Sequence, residues 1–368
     1  MLKTETITLN LGPQHPSTHG VFDLKVELEG ENVREIEPVM GYLHRGVEKL
    51  CEERTYVQIV PLTDRLDYLG SMTNNQAYAI AVEKVAGIEV PERAEYIRVI
   101  MAEFTRIINH MMAVGFLWNE LGAYFTPLLY CFREREHILD LFEMTCGSRM
   151  TCNYIRPGGV SADLPEGFLP QAEKLSDHLK TFADELDRML SENEIFVSRT
   201  VDVGILPAET AINASITGPM LRASGVPYDI RKVDGYSIYD RFDFAIPVCG
   251  HGDVWDRYYQ HILEIYQSIG IIDQALDGIP NGEVMNKDAA RILRHPPEGE
   301  AYGRIEAPKG ELGFYIHSDG SCNPYRVRIR PPSMINLSAL KEMCEGHKIQ
   351  DVIVILGSIN IVLGELDR

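Results

Sequence analysis

Four long stretches in the middle of the chain repeat apolar residues at the spacing of an α-helix. They run from Pro91 to about Trp118, Tyr130 to about Phe142, about Glu166 to Leu190, and Asp253 to Leu276. Each apolar face is too wide for a single surface helix, so we expect the four helices to pack on one another as a bundle. The charged run from Arg133 to Glu136 is predicted to form a turn that faces solvent or a partner.

Segments on either side of this bundle alternate apolar and polar residues, as β-strands do. The predicted strands are residues 5–11, 21–28, 33–39, 312–316, 325–329 and, as a short apolar run, 352–356. The pair at 312–316 and 325–329 predicts a hairpin with one cationic face. Short helices are predicted at about 48–57, from near Asp64 onward and at 337–344, and the cluster 156–159 predicts a corner between helices.

These patterns predict an α+β fold that is mainly α, in three segments. Residues 1–45 form a small antiparallel sheet, and residues 46–298 form the central helical bundle. Residues 299–368 form a β-rich C-terminal segment, with a hairpin, a helix and a tail that pack on the bundle.

The charge and the motif content exclude several classes of function. A formal net charge of −19 argues against nucleic acid and acidic lipid surfaces as partners, but it leaves docking onto a basic protein open. The chain has no apolar leader and no run near the ~20 apolar residues that cross a bilayer, so we expect a soluble or peripheral protein. Glycine-rich nucleotide motifs and a serine hydrolase motif are absent from the sequence. CxxC pairs are absent as well, so the seven cysteines are expected to be reduced thiols in a cytoplasmic core.

The loop Gly12–Gly20 lies between the first two predicted strands and carries two imidazoles, His15 and His19. Its two prolines and two glycines exclude a regular helix, so it forms a stiff tip that presents polar groups. The histidines could be metal ligands, but no third ligand is identifiable, and no metal site is predicted. Both imidazoles could instead form hydrogen bonds with the backbone of the hairpin. This alternative fits His15 better than His19, because Gly20, next to His19, allows another molecule to approach the chain closely.

Two further stretches hold polar groups whose role the residues alone leave open. Glu120 has apolar neighbours, so it is either a partnered carboxylate with a raised pKa or a helix-end residue that points to water. Tyr68, predicted on a helix, could be a core tyrosine with its hydroxyl at the rim. Arg65 and Asp67 beside it could form an ordinary surface ion pair.

Eight motifs in order along the chain resemble the D-subunit family of respiratory complex I, the proton-pumping NADH:quinone oxidoreductases. They are GPQHPSTHG (12–20), GYLHRGVEKL (41–50), DRLDYL (64–69), FRERE (132–136), NYIRPGGV (153–160), GPMLRASGVPYDIRK (218–232), KGELGFYI (309–316) and SINIVLGELDR (358–368). The resemblance implies the fold of a nickel–iron hydrogenase large subunit without the metal. Asp67, Gly70, Val362 and Glu365 stand where that family has cysteine ligands, and no thiolate is left to hold a metal.

The same resemblance implies that the vacated pocket binds a quinone, which is reduced to a quinol. His19 and Tyr68 match the residues thought to bond the quinone carbonyls, and Glu120 matches an acidic position that pairs with that histidine. Arg65 matches an arginine near a 4Fe–4S cluster on the adjacent small subunit. His15, Asp67 and Val362 complete the implied pocket.

The implied protein holds no cofactor of its own and takes electrons from the 4Fe–4S cluster of its neighbour. Its implied partners are that small subunit, the peripheral-arm subunits and the membrane subunit of complex I, on the cytoplasmic side of the inner membrane. Two alternative functions remain open. The chain could belong to a related complex that receives electrons from ferredoxin or reduced deazaflavin, or it could be a non-catalytic scaffold. Thr151 and Asn360 depart from the family pattern, which usually has His and Asp there.

Overall fold

The computed structural model describes residues 6–14, 20–123 and 126–368. His15 and His19, for which the sequence predicts roles in the site, lie outside the described residues.

An antiparallel sheet in the order β1-β2-β3 forms the N-terminal part of the described chain. Its strands are β1 (Thr6–Leu11), β2 (Asp23–Glu29) and β3 (Asn32–Val39). Val26 of the central strand lies opposite Leu9 on one side and Ile36 on the other. Val26 and Ile36 are buried, whereas β1 is an exposed edge strand. The predicted N-terminal strands are confirmed.

Five helices follow this sheet. They are α1 (Val47–Glu52), α2 (Tyr56–Thr63), α3 (Ser71–Ala86), α4 (Glu92–Glu120) and α5 (Thr126–Cys146). The long helices α4 and α5 confirm the first two predicted stretches. The short helix predicted at 48–57 is two helices. The helix α3 begins later than the one predicted from near Asp64, and its sequence, rich in polar residues, has weak apolar periodicity. It nevertheless packs against a later sheet, where Gly303 brings a strand so close that a Cβ there would lie 2.6 Å from the backbone nitrogen of Ala81.

The helix predicted from near Asp64 is wrong. Residues 64–70 form a series of turns, and the helix begins only at Ser71. The Oδ1 of Asp67 accepts the backbone N–H of Leu69 at 2.9 Å, which is a local bond that competes with helix formation. Tyr68 therefore lies on a turn and not on a helix.

Charged side chains fill part of the interior around α4. Glu103 accepts bonds from Arg106 of its own helix and from Arg231, and all three side chains are almost fully buried. The apolar periodicity of α4 correctly predicts a helix, but it hides these internal ion pairs. Each charge is compensated by a partner, as burial of an ion requires.

The charged run in α5 faces solvent only in part. Arg133 and Glu136 are exposed as predicted, whereas Glu134 and Arg135 are buried. Glu134 faces the next long helix, where it contacts His178.

The chain then forms a two-stranded hairpin and seven helices. These are β4 (Ile155–Arg156), β5 (Gly159–Val160), α6 (Phe168–Leu190), α7 (Glu194–Thr200), α8 (Ala208–Asn213), α9 (Pro219–Ala223), α10 (Ile230–Val233), α11 (Val254–Gly278) and α12 (Ala289–Ile292), with a 3-10 turn at Tyr239–Arg241. The hairpin is the predicted corner between helices. The helices α6 and α11 confirm the third and fourth stretches, and α11 packs along α4 and α6 to close the bundle.

A second antiparallel sheet has the order β6-β7-β8. Its strands are β6 (Gly299–Ala307), β7 (Gly310–Ser318) and β8 (Arg326–Arg330). The predicted hairpin is confirmed and gains a third strand. Its cationic face packs on α1, where Arg326 and Arg328 pair with Glu48.

The last part of the described chain is helical. It contains α13 (Pro332–Leu337), α14 (Leu340–Cys344), α15 (Ile349–Ile359) and α16 (Leu363–Leu366). The strand predicted at 352–356 is therefore wrong, and the β-rich description of this segment holds only as far as Arg330. A run of five apolar residues fits a buried helix as well as a strand. Here the carboxylate of Asp351 accepts the backbone N–H of Lys348 in the first turn, at 3.3 Å.

Within residues 6–14, 20–123 and 126–368, no helix has both the length and the apolarity to cross a membrane. The division into segments 1–45, 46–298 and 299–368 stays a prediction.

Candidate functional site

Hydrogen bonds of Asp67 hold the turn between α2 and α3 in place. Only 3% of this residue is exposed. Its Oδ2 accepts a bond from Lys309 Nζ at 2.9 Å and from Asn109 Nδ2 at 3.1 Å, while its backbone carbonyl accepts Asn74 Nδ2 at 3.0 Å. Asp67 thus ties the turn to α3, α4 and the tight turn before β7. It does not pair with Arg65, so the surface ion pair is wrong.

A second buried carboxylate, Glu365, lies beside this group. Its Oε1 accepts the backbone N–H and the hydroxyl of Ser333, with the backbone bond at 3.0 Å. Burial, together with the nearby charge of Asp67, raises the pKa of Glu365 to about 7, while the Lys309 ammonium opposes this shift. The site therefore contains one carboxyl group that can hold or release a proton near neutral pH.

A cavity of about 310 Å³ borders the turn that carries Asp67 and Tyr68. The turn after α2, the last third of α4, the end of α15 and the segment that leads into β2 form its walls. The lining residues are Gly20, Tyr68, Leu69, Ala113, Phe116, Gly357, Asn360, Ile361 and Val362. Most of this lining is apolar, and among the described residues that form it the polar side chains are the phenol of Tyr68 and the amide of Asn360.

Tyr68 is the most accessible of the predicted site residues in this cavity, with 46% of its surface exposed. Partial burial, together with the Asp67 carboxylate, raises its pKa above the ordinary value. The phenol therefore stays protonated at neutral pH and can donate a hydrogen bond. It is not a core tyrosine.

Glu120 is the last residue of α4 and lies half-buried at the edge of this region. A Cβ placed on Gly357, which lines the cavity, would lie 3.3 Å from its Cγ. The structure thus brings Tyr68 and Val362 to one cavity, with Glu120 next to Gly357 of its lining and Asp67 next to Tyr68 in the chain. Arg65 lies on the same turn but is exposed, and its Nη1 donates to the carbonyl of Pro61 at 2.6 Å.

Comparison with known proteins shows the family to which this chain belongs. The family described as "Respiratory-chain NADH dehydrogenase, 49 Kd subunit" matches residues 120–296 and 290–368. The chain belongs to this family. It is 59% identical over 367 residues to the D subunit of the NADH-quinone oxidoreductase of Dehalococcoides mccartyi, with 100% of both chains covered. It is 56% identical over 375 residues to the D 1 subunit from a Roseiflexus species and 52% identical over 370 residues to the D 2 subunit from Herpetosiphon aurantiacus, again with 100% of both chains covered.

Membership of the 49-kDa subunit family makes this chain part of an oxidoreductase complex, complex I, as the motifs predict. Four residues of the site carry contacts that the sequence did not assign. Lys309 neutralises Asp67, Asn109 bonds both Asp67 and Asn360, and Ala113 with Phe116 forms the α4 wall of the cavity. The KGEL motif contained Lys309, but nothing in its local sequence indicates a partner 242 residues away.

Proposed function

We propose that the cavity beside Tyr68 receives the head group of a quinone, and that this chain is the quinone-reducing subunit of its complex. The observation that carries the proposal is the position of Tyr68, a protonated phenol in an otherwise mainly apolar cavity. A quinone ring needs apolar walls for its faces and hydrogen-bond donors for its two carbonyl oxygens. Tyr68 supplies one donor, and Leu69, Phe116 and Val362 supply apolar wall.

Reduction of a quinone to a quinol takes two electrons and two protons. Tyr68 bonds one carbonyl and stabilises the charge that develops on it. In this proposal His19 bonds the second carbonyl and Glu120 pairs with His19, while His15 completes the pocket. Gly20, which follows His19 directly in the chain, lines the cavity, and this supports the assignment.

The positions that the resemblance assigns to lost metal ligands support a hydrogenase-like origin. Val362 lines the cavity, and Asp67 raises the pKa of Glu365 beneath it. In this proposal the chain holds no cofactor, and the electrons come from a 4Fe–4S cluster on the adjacent small subunit. In this proposal the exposed guanidinium of Arg65 contacts that neighbour.

The further partners in the proposal are the peripheral-arm and membrane subunits of complex I, with the chain on the cytoplasmic side of the membrane and reduction coupled to proton translocation. The relatives are named NADH-quinone oxidoreductase, which favours NADH as the electron source. Assay of the purified complex with NADH, reduced ferredoxin and reduced deazaflavin distinguishes the input module.

The test is Tyr68→Phe in the assembled complex. Loss of the donor is expected to lower quinone reduction on the order of 100-fold. Electron delivery to a hydrophilic acceptor upstream of the quinone should stay unchanged. Tyr325→Phe is the matched control, because this tyrosine is 65% exposed and does not line the cavity.

A second variant tests the cavity itself. Ala113 is 7% exposed and lines the wall, so Ala113→Leu fills space that the ring would occupy. We expect a higher KM for quinone. Unchanged quinone kinetics in both Tyr68→Phe and Ala113→Leu would contradict the proposal and favour a scaffold.

A further inference from the structure

A second polar cluster lies between α5 and α6 and contains none of the residues that line the Tyr68 cavity. Glu134 and His137 are three residues apart on α5, so they lie on the same face of this helix. His178 projects from α6 towards them. Its Nε2 lies 2.5 Å from Oε2 of Glu134, and the centroids of the two imidazole rings are 5.7 Å apart. One ligand atom from each of the three residues lies within 4.8 Å of the other two.

The carboxylate of this cluster is already removed from water. The Glu134 side chain is 0% exposed, whereas that of His178 is 49% exposed. The Nε of Arg133 donates to Oε1 of Glu134 at 2.6 Å, which leaves Oε2 directed at the histidines. A buried carboxylate needs charged partners and hydrogen bonds to offset its desolvation. Arg133 meets one oxygen, and a cation between Oε2 and the imidazoles would meet the other.

An open cavity of about 470 Å³ borders the two histidines. Asp140 and Gln171 line it as well, so oxygen donors and solvent reach the same space. The cluster thus combines three protein ligands with one accessible position. Two imidazoles and one carboxylate are a donor set that zinc(II) prefers in tetrahedral sites that keep one position for water.

We propose that Glu134, His137 and His178 bind one divalent transition-metal ion of the zinc class and so join α5 to α6. Each imidazole offers a nitrogen lone pair to the ion, so the ion takes the place of the hydrogen bond between His178 and Glu134. The ion takes its fourth ligand from the cavity. The site is independent of the proposed quinone function, since it shares no residue with the Tyr68 cavity.

The experiment uses the full-length chain, freed of metal with a chelator and titrated with zinc chloride at neutral pH. A Cys146→Ser/Cys152→Ser background removes the neighbouring thiols as alternative ligands. We expect one equivalent of zinc to bind and to raise the Tm. His137→Ala and His178→Ala should each weaken binding by at least about 100-fold, since the loss of even an outer-shell partner of a metal site costs 10–100-fold.

His295→Ala is the matched control, because this histidine is also exposed and lies elsewhere, after α12. It should bind zinc as the parent does. Circular dichroism checks that each variant is folded, and cobalt(II) in place of zinc gives an independent readout, with an absorption spectrum of tetrahedral nitrogen and oxygen ligands that is lost in His137→Ala. The absence of stoichiometric binding, or binding that neither histidine variant weakens, overturns the proposal.

Discussion

The ammonium of Lys309 lies 2.9 Å from Oδ2 of Asp67, with side-chain exposures of 1% and 4%. This pair joins the turn before β7 to the turn that carries Tyr68. Its strength depends on both partners, because a buried charge that loses its counter-ion keeps the full cost of desolvation. The position of Tyr68 in the proposed site therefore depends on an ion pair whose two residues do not line the cavity.

Lys309→Met is expected to lower the free energy of unfolding by about 3–5 kcal/mol, because Asp67 stays buried without a cation. Adding Asp67→Asn should recover part of this loss, since the amide carries no charge. Chemical denaturation of the full chain measures both effects. Lys25→Met is the control: its pair with Glu37 is exposed, and loss of such a pair costs at most about 1 kcal/mol. Equal effects of the two lysine variants would contradict the account of the Asp67 contact.

Glu365 makes stability depend on pH in a defined direction. Its pKa is raised to about 7 by burial and by Asp67, against about 4.3 in an unfolded chain. The folded state then holds this proton to higher pH than the unfolded state does. The contribution of Glu365 to the free energy of unfolding is thus fully present at acidic pH, and it falls as the pH rises from about 4 to 7.

Glu365→Gln should remove this dependence, because the amide keeps the acceptor for Ser333 and cannot ionise. We expect the variant to gain stability relative to the parent as the pH rises through this window, by an amount on the order of a few kcal/mol. Denaturation curves of both proteins across the window measure the difference. A difference that does not change with pH would show that Glu365 titrates at its ordinary value.

Three of the four long helices, α4, α6 and α11, were predictable because their apolar periodicity extends over six or more turns. The short apolar run at 352–356 was not, since a five-residue run fits either structure until its neighbours are known. In the fold it packs against α4, α11 and α14 as part of α15. Local pattern therefore predicts the bundle, and tertiary packing decides the segments that are too short to show a period.

The candidate site also contains residues that were predictable from the sequence and contacts that were not. Resemblance linked Tyr68, Val362 and Glu120; in the structure Tyr68 and Val362 line one cavity, and Glu120 lies next to Gly357 of its wall. The ion pair of Asp67 with Lys309 was not predictable, because the partners are 242 residues apart and Lys309 lies in a short turn. The burial of Glu134 was missed for a similar reason, since a run of alternating charges does not show which residue faces the next helix.

The thiol of Cys146, the last residue of α5, interacts with that of Cys152 in the loop that follows. Each lies within sulfur hydrogen-bonding distance of the carbonyl of Ser148, at 3.3 Å and 3.7 Å. The hydrogen bond from Cys152 lowers the pKa of Cys146 to about 7, whereas this pairing and burial raise the pKa of Cys152. Cys146 is therefore expected to react with iodoacetamide from about neutral pH and Cys152 to remain unmodified.

Mass spectrometry of the alkylated peptides over a pH series measures this difference. Cys152→Ala should shift the reaction of Cys146 to higher pH, because the thiolate loses its donor. Cys51 is the internal control, since burial raises its pKa to about 12 and it should stay unmodified in the folded chain. Equal rates for Cys146 in the parent and in Cys152→Ala would contradict the coupling.

Gly364 lies where α16 meets the turn that carries Tyr68. A Cβ at this position would lie 2.5 Å from the carbonyl oxygen of Leu66 and 2.8 Å from that of Arg65. Gly364→Ala must therefore displace backbone, and we expect a loss of about 1–3 kcal/mol together with weaker quinone reduction in the complex. Gly270→Ala is the matched control: no atom lies within 4 Å of a Cβ there, and the helix α11 should gain about 0.5–1 kcal/mol. Denaturation midpoints that move in the same direction for both variants would show that close approach at Gly364 does not hold the turn in place.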